Sequence, residues 1–151
     1  MGEITVCAIA VSVAGPSRVF ALLKDGATWP QWSLFESFEL EQAGRSEPLG
    51  IGAVRVFSTK VTRAREEVVE LVEGRQLSYT LLSGLPLKDY RADVCLAPEA
   101  SGGTSIRWQA RFRAKYTGTG WFWGWFMKRT LRTIAAQLAH GASNADIRPN
   151  P

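Results

Sequence analysis

The sequence predicts an α+β domain: a seven-stranded, curved antiparallel sheet wrapped around one long C-terminal helix, with two short helices between strands 1 and 2. Three observations carry this. Between residues 34 and 115 segment after segment favours strand, often with apolar and polar residues in alternation. The links between these segments are short and rich in turn residues, so consecutive strands must be antiparallel neighbours. From Gly120 to Gly141 the period changes, and Trp123, Met127, Leu131, Ile134 and Leu138 fall on one side of a helix.

Each element has a local reason. Residues 3–13 alternate as a strand. Gly15-Pro16-Ser17 then opens a helix over 16–24, because proline in a first helical turn gives up an N–H that has no partner there anyway. Asp25-Gly26 ends it, and Ala27 to Trp32 forms a second helical turn. Strands follow at about 34–42, 51–59, 62–73, 75–83, 88–97 and 104–115. They are separated by Pro48 with Gly50 and Gly52, by Glu73-Gly74, by Gly84 with Pro86, and by Ser101-Gly102-Gly103. The run TRAREEVVELVE is rich in helix formers, yet VVELV is β-branched and its neighbours need a partner, so it is assigned as strand. Gly141 stops the last helix. Residues 1–142 form one domain, and the polar segment 143–151 reads as a flexible tail.

Composition excludes several classes. Hydrophobic residues make up 46% of the 151 and charged ones 21%, enough for a core that needs no disulfide or metal. Cys7 and Cys95 sit singly in strands and are expected as small buried hydrophobes. Lys and Arg total 18 against 14 Asp and Glu, a net charge of +4 with both signs interleaved, which is not the footprint of a nucleic-acid binder. No basic leader precedes the first strand, and no apolar run approaches the roughly 20 residues that span a bilayer. A cytoplasmic protein is expected. The single histidine, His140, falls away from the apolar stripe near the helix end. There is no HExxH and no Cys/His cluster, and Gly50-Ile51-Gly52 leads into a strand rather than a helix. No metal and no nucleotide cofactor is expected.

The alternation assigns faces. Ile106, Trp108, Ala110 and Phe112 point inward, while Arg107, Gln109, Arg111 and Arg113 point outward. Tyr90, Ala92, Val94 and Leu96 form the inward set of their strand, and Leu77, Tyr79 and Leu81 that of theirs. Two strands leave a choice. Phe57 shares a face with Arg55, and Val69 and Leu71 share one with Glu67. Either Arg55 and Glu67 face the interior and pair there, since a lone buried charge is costly, or both face solvent with Val54 and Val56 inside.

Several landmarks occur in order: AGPSRVFALLKDGATWPQW, GIGAVRVF, REEVVE, LSYTLLSGLPLKDYRADVCL and GGTSIRW. In this the chain resembles the START-related helix-grip superfamily (SRPBCC), which includes polyketide cyclases/dehydrases and lipid-transport proteins, over about residues 4–140. The resemblance implies the helix-grip fold and a cavity between sheet and helix. Its members bind lipids, hormones and polyketides, and a minority catalyse, so function must be argued from the site.

A strongly curved sheet cannot collapse fully onto one helix. The gap is filled by large side chains or by a guest. The expected lining is Phe57, Tyr79, Tyr90, Trp108, Phe112, Trp123, Met127, Leu131 and Ile134. The leading expectation is a binder of a small hydrophobic molecule, lipid-like or aromatic/polyketide-like. One alternative is a polyketide cyclase/aromatase or dehydrase acting in the same cavity, with Arg55, Glu67, Tyr79 and Tyr90 as the candidates for orienting and proton-transfer roles. Against it, the tyrosines could simply pack as large apolar bodies. A second alternative is transient docking on a membrane or partner through Trp121 and Trp125, which fall beside Lys128 and Arg132. Those two tryptophans could instead cover the cavity mouth.

Overall fold

A computed structural model describes residues 2–149. Its elements are β1 (Ile4–Ser12), α1 (Pro16–Lys24), a 3-10 turn (Gly26–Thr28), α2 (Trp29–Trp32), β2 (Ser37–Gln42), β3 (Val54–Ser58), β4 (Arg63–Val72), β5 (Gln76–Ser83), β6 (Leu87–Pro98), β7 (Thr104–Ala114) and α3 (Gly120–Ala142). The strands make one antiparallel sheet in the order β1-β7-β6-β5-β4-β3-β2. From β2 to β7 every strand pairs with the next in sequence, and β1 returns to pair with β7, Ile4 opposite Phe112 and Ser12 opposite Thr104. The helix-grip architecture expected from the sequence is present.

One-residue register shifts explain the curvature. They fall between Leu40 and Gln42 in β2, between Arg65 and Glu66 where β4 meets β5, between Val68 and Glu70 in β4, and between Lys88 and Arg91 in β6. Such bulges bend a strand and increase its twist. They also reset which residues face inward. Val68 and Leu71 both pack on the core although three residues apart, and so do Leu87 and Tyr90. Asp89, at the second of these sites, takes the left-handed conformation with φ of 52°.

The core lies between the concave face and α3. Ile106, Trp108, Ala110 and Phe112 are fully buried, with Arg107, Arg111 and Arg113 exposed on the convex side. Met127, Leu131, Ile134 and Leu138 of α3 are buried against them, each contributing about 1.5–3 kcal/mol. Ser12 ties sheet to helix through a 2.7 Å bond from its hydroxyl to the Ala139 carbonyl.

The short helices are knotted together by the carbonyls that α1 leaves open at its C-terminal end. Trp29 Nε1 donates to Leu23 O at 3.1 Å, and Thr28 Oγ1 donates to Leu22 O at 2.9 Å. Trp32 Nε1 in turn donates to Thr28 Oγ1 at 3.0 Å. Asp25 caps the 3-10 turn by accepting from the Ala27 N–H at 3.1 Å.

Two expectations need correcting. Cys7 and Cys95 are free, half-buried thiols on the convex face rather than core residues; their strands flank β7, with Cys95 opposite Arg107 and Cys7 opposite Gln109. The segment after α3 is not loose from its start. Arg18 donates to Ala142 O at 3.1 Å and Asn144 O at 2.6 Å, and Ile147 is only 5% exposed. The remainder of that segment, Asn150 and Pro151, lies outside the described residues.

Candidate functional site: a cavity with one polar end

Strands β4–β6 curve away from α3 and leave a cavity of about 490 Å3. The sheet contributes Ala64, Glu66, Tyr79, Leu81 and Tyr90. The helix contributes Phe126, Met127, Thr130, Leu131, Thr133 and Ile134. Trp29, Leu34, Phe35, Leu85, Trp125 and Arg129 complete the lining together with Thr62 and Gly84 at the sheet's turns. The lining is overwhelmingly apolar, and its size is that of small-molecule sites.

At one end the apolar wall gives way to a buried polar chain. Arg55 of β3 and Glu66 of β4 stand directly opposite in the register, and Arg55 Nη2 lies 3.4 Å from Glu66 Oε1. Arg55 is fully buried. Its Nη1 donates to Leu23 O at 3.1 Å, at the negative end of α1. Its Nε has no partner among the described residues. The guanidinium carbon sits 5.1 Å from the ring centroids of both Trp29 and Phe57, which partly replaces lost hydration. Across the cavity wall, Trp108 Nε1 donates to Tyr79 Oη at 3.2 Å, and the Tyr90 hydroxyl bonds the Tyr79 side chain.

The electrostatics of this chain are set by burial. Burial pushes the Glu66 carboxyl up to about 7, and the Arg55 charge only partly offsets it. Burial likewise lowers the Arg55 guanidinium, against the pull of Glu66. Desolvation therefore outweighs mutual attraction for both partners, the usual balance for a buried ion pair. Tyr79 and Tyr90 are both raised, chiefly by burial, so they stay protonated as hydrogen-bonding hydroxyls. The result is one carboxyl able to gain or lose a proton near neutrality, beside two neutral phenols.

Of the residues expected from sequence, Tyr79, Tyr90, Met127, Leu131 and Ile134 line the cavity. Phe57, Trp108 and Phe112 are buried beneath it as packed floor, and Trp123 is half-buried beside Phe126. Arg55 faces inward, behind Glu66. Glu67 does not join it. The bulge at Val68/Glu70 lets Leu71 face inward together with Glu66 and Val68, which turns Glu67 to the opposite face. Val54 and Val56 are buried as well, on the side away from Arg55. There Val56 lies in register between Glu39 and Arg65, whose guanidinium forks onto Glu41 at 2.6 and 2.8 Å. Sequence reasoning missed Glu66, Trp29, Leu34 and Phe35. Trp125 lines the mouth and is 56% exposed, while Trp121 projects into solvent at 77%.

The fold has close counterparts. A START superfamily protein from Mycobacterium smegmatis superposes with a TM-score of 0.80 at 14% identity, covering 94% of this chain and 98% of that one. XoxI from Bacillus cereus gives 0.75 at 15% identity over 98% and 100% of the two chains. Ara h 8.0201 gives 0.73 at 18% over 95% and 100%. At such identities the likeness is one of fold. No curated protein matches the chain. The model of one family matches residues 4–142, nearly the whole of the curved sheet and the helix it grips. The chain belongs to the polyketide cyclase/dehydrase and lipid transport family.

Proposed function

We propose that the protein is a carrier or sensor of a small, mostly apolar molecule, lipid-like or aromatic. The guest lies between α3 and β4–β6 with one hydroxyl or keto oxygen at the Glu66–Tyr79–Tyr90 end. The observation that supports this reading best is the cavity itself: about 490 Å3, walled by aliphatic and aromatic side chains, with its buried carboxyl confined to one end. Apolar burial supplies affinity there, and the polar end supplies orientation. The family's description, which names lipid transport, agrees with it.

Trp29 and Trp125 line the cavity, so a guest should change tryptophan emission. Titration with a fluorescent fatty acid is expected to give saturable one-to-one binding. The double substitution Leu81→Trp and Thr130→Trp fills the space and should abolish binding while the domain still melts cooperatively. Undiminished binding in that variant would place the guest elsewhere.

A second reading, a polyketide cyclase/aromatase or dehydrase, draws on the Glu66 carboxyl. A group titrating near 7 is suited to removing a proton adjacent to a carbonyl, with the tyrosine hydroxyls donating to the oxygen that becomes enolate. Glu66→Gln should then end turnover of a poly-β-ketone while leaving fatty-acid binding intact. Unchanged turnover would remove Glu66 from the chemistry.

A further inference from the structure

We propose that the N-terminal half of α3 docks on an anionic lipid bilayer, with Trp121 and Trp125 entering the interface and Lys128 and Arg132 facing the headgroups. The aromatic side chains are exposed where a core has no use for them: Trp121 at 77%, Trp125 at 56% and Phe122 at 37%. They form one cluster, since the Phe122 ring lies 6.1 Å from both tryptophan rings. Immediately before the helix, Tyr116 is also exposed and carries Lys115 at 5.6 Å from its ring.

Helical geometry places the charges with the aromatics. At about 100° per residue, Trp121, Trp125, Lys128 and Arg132 fall within an arc of roughly 60°. Met127, Leu131, Ile134 and Leu138, the stripe buried on the sheet, lie on the other side. Arg129, about 40° beyond the arc, holds its guanidinium 5.8 Å from the Trp125 ring.

The sign of the charge selects the partner. From Ala100 to Ala145 the chain has no Asp or Glu but seven Lys and Arg. Lys128 and Arg132 make no ion pair among the described residues. Lysine is depleted in the cores of protein interfaces. Tryptophan beside unneutralised lysine and arginine suits a headgroup layer, where the ring is half-wet and the cation meets phosphate. Trp125 and Arg129 also rim the cavity, so a docked molecule would hold its mouth at the headgroups.

Flotation with phosphatidylcholine vesicles, with and without phosphatidylserine, tests this. The protein is expected to float with serine-containing vesicles, to be released by added salt, and to float poorly with phosphatidylcholine alone. Lys128→Gln and Arg132→Gln should each weaken partition about five-fold. Trp121→Ala should weaken it too, and its exposure means the fold is not at stake. All three variants should keep fatty-acid binding, so loss of the cavity reading and loss of this one are separable. No flotation, equal flotation with both vesicles, or variants that float like the parent would overturn the proposal. A protein partner for this face would appear as the first of these outcomes.

Discussion

Glu66→Gln isolates the electrostatics of the polar end. In the folded chain the Glu66 carboxyl titrates at about 7, against an ordinary value of 4.5. Between those two pH values the unfolded chain has released the proton and the folded chain has kept it, so stability falls as pH rises. The loss proceeds at up to about 1.4 kcal/mol per pH unit and totals about 3 kcal/mol. It is absent below the unfolded value, complete above the folded one and flat beyond. The glutamine of the variant carries a neutral amide of nearly the same shape and mimics the protonated carboxyl at every pH. Urea denaturation of both proteins should therefore show their stability difference moving in the variant's favour by about 2.5 kcal/mol between about pH 5 and about pH 8. A difference that stays constant across that range would mean that Glu66 ionises as readily inside as outside, and the account of the cavity's polar end would fall. A difference that moves the other way would mean that Arg55 stabilises the carboxylate more than burial opposes it.

Three further perturbations read neighbouring features. Arg55→Met leaves a buried carboxylate without its cation and should cost about 3–5 kcal/mol above the folded Glu66 value; adding Glu66→Met should return much of the loss, measured as a double-mutant cycle in urea. Tyr79→Phe removes the acceptor for Trp108 Nε1 and should cost about 1–3 kcal/mol in chemical denaturation. Gly26→Ala would bring a methyl to 2.2 Å from the Phe38 ring, so a drop of about 1–3 kcal/mol is expected, visible as a lower melting temperature.

The architecture was legible because period-two alternation and short links survive in β5, β6 and β7, and because α3 changes period abruptly. Tyr79, Tyr90, Met127, Leu131 and Ile134 followed from those same patterns. Glu66 was not legible by alternation, since a bulge three residues further on breaks the parity that alternation assumes. Counting from the β3–β4 turn would have found it: with Ser58 opposite Arg63, Arg55 must stand opposite Glu66. Trp29 and Phe35 reach the cavity from short irregular segments, where no period exists to assign a face. Phe57, Trp108 and Phe112 were rightly inward, but pattern alone cannot tell a floor from a wall. The convex-face cysteines fell outside the reading for a different reason: small apolar residues are tolerated on either side of a sheet.

The extra residue in β4 does something other than steer side chains. Without Val69, Val68 would still meet Tyr79 and Glu70 would still meet Ser78, now as consecutive rungs, and the ladder would run unbroken from Glu66 to Val72. Deleting it would spare every β5 partner and cost only the kink. In such a shortened chain the strands would run straighter under the helix, and the hollow would change shape while its residues stayed the same. For the proposed guest, strand length is thus a second way to set the shape of the hollow, with no lining side chain replaced.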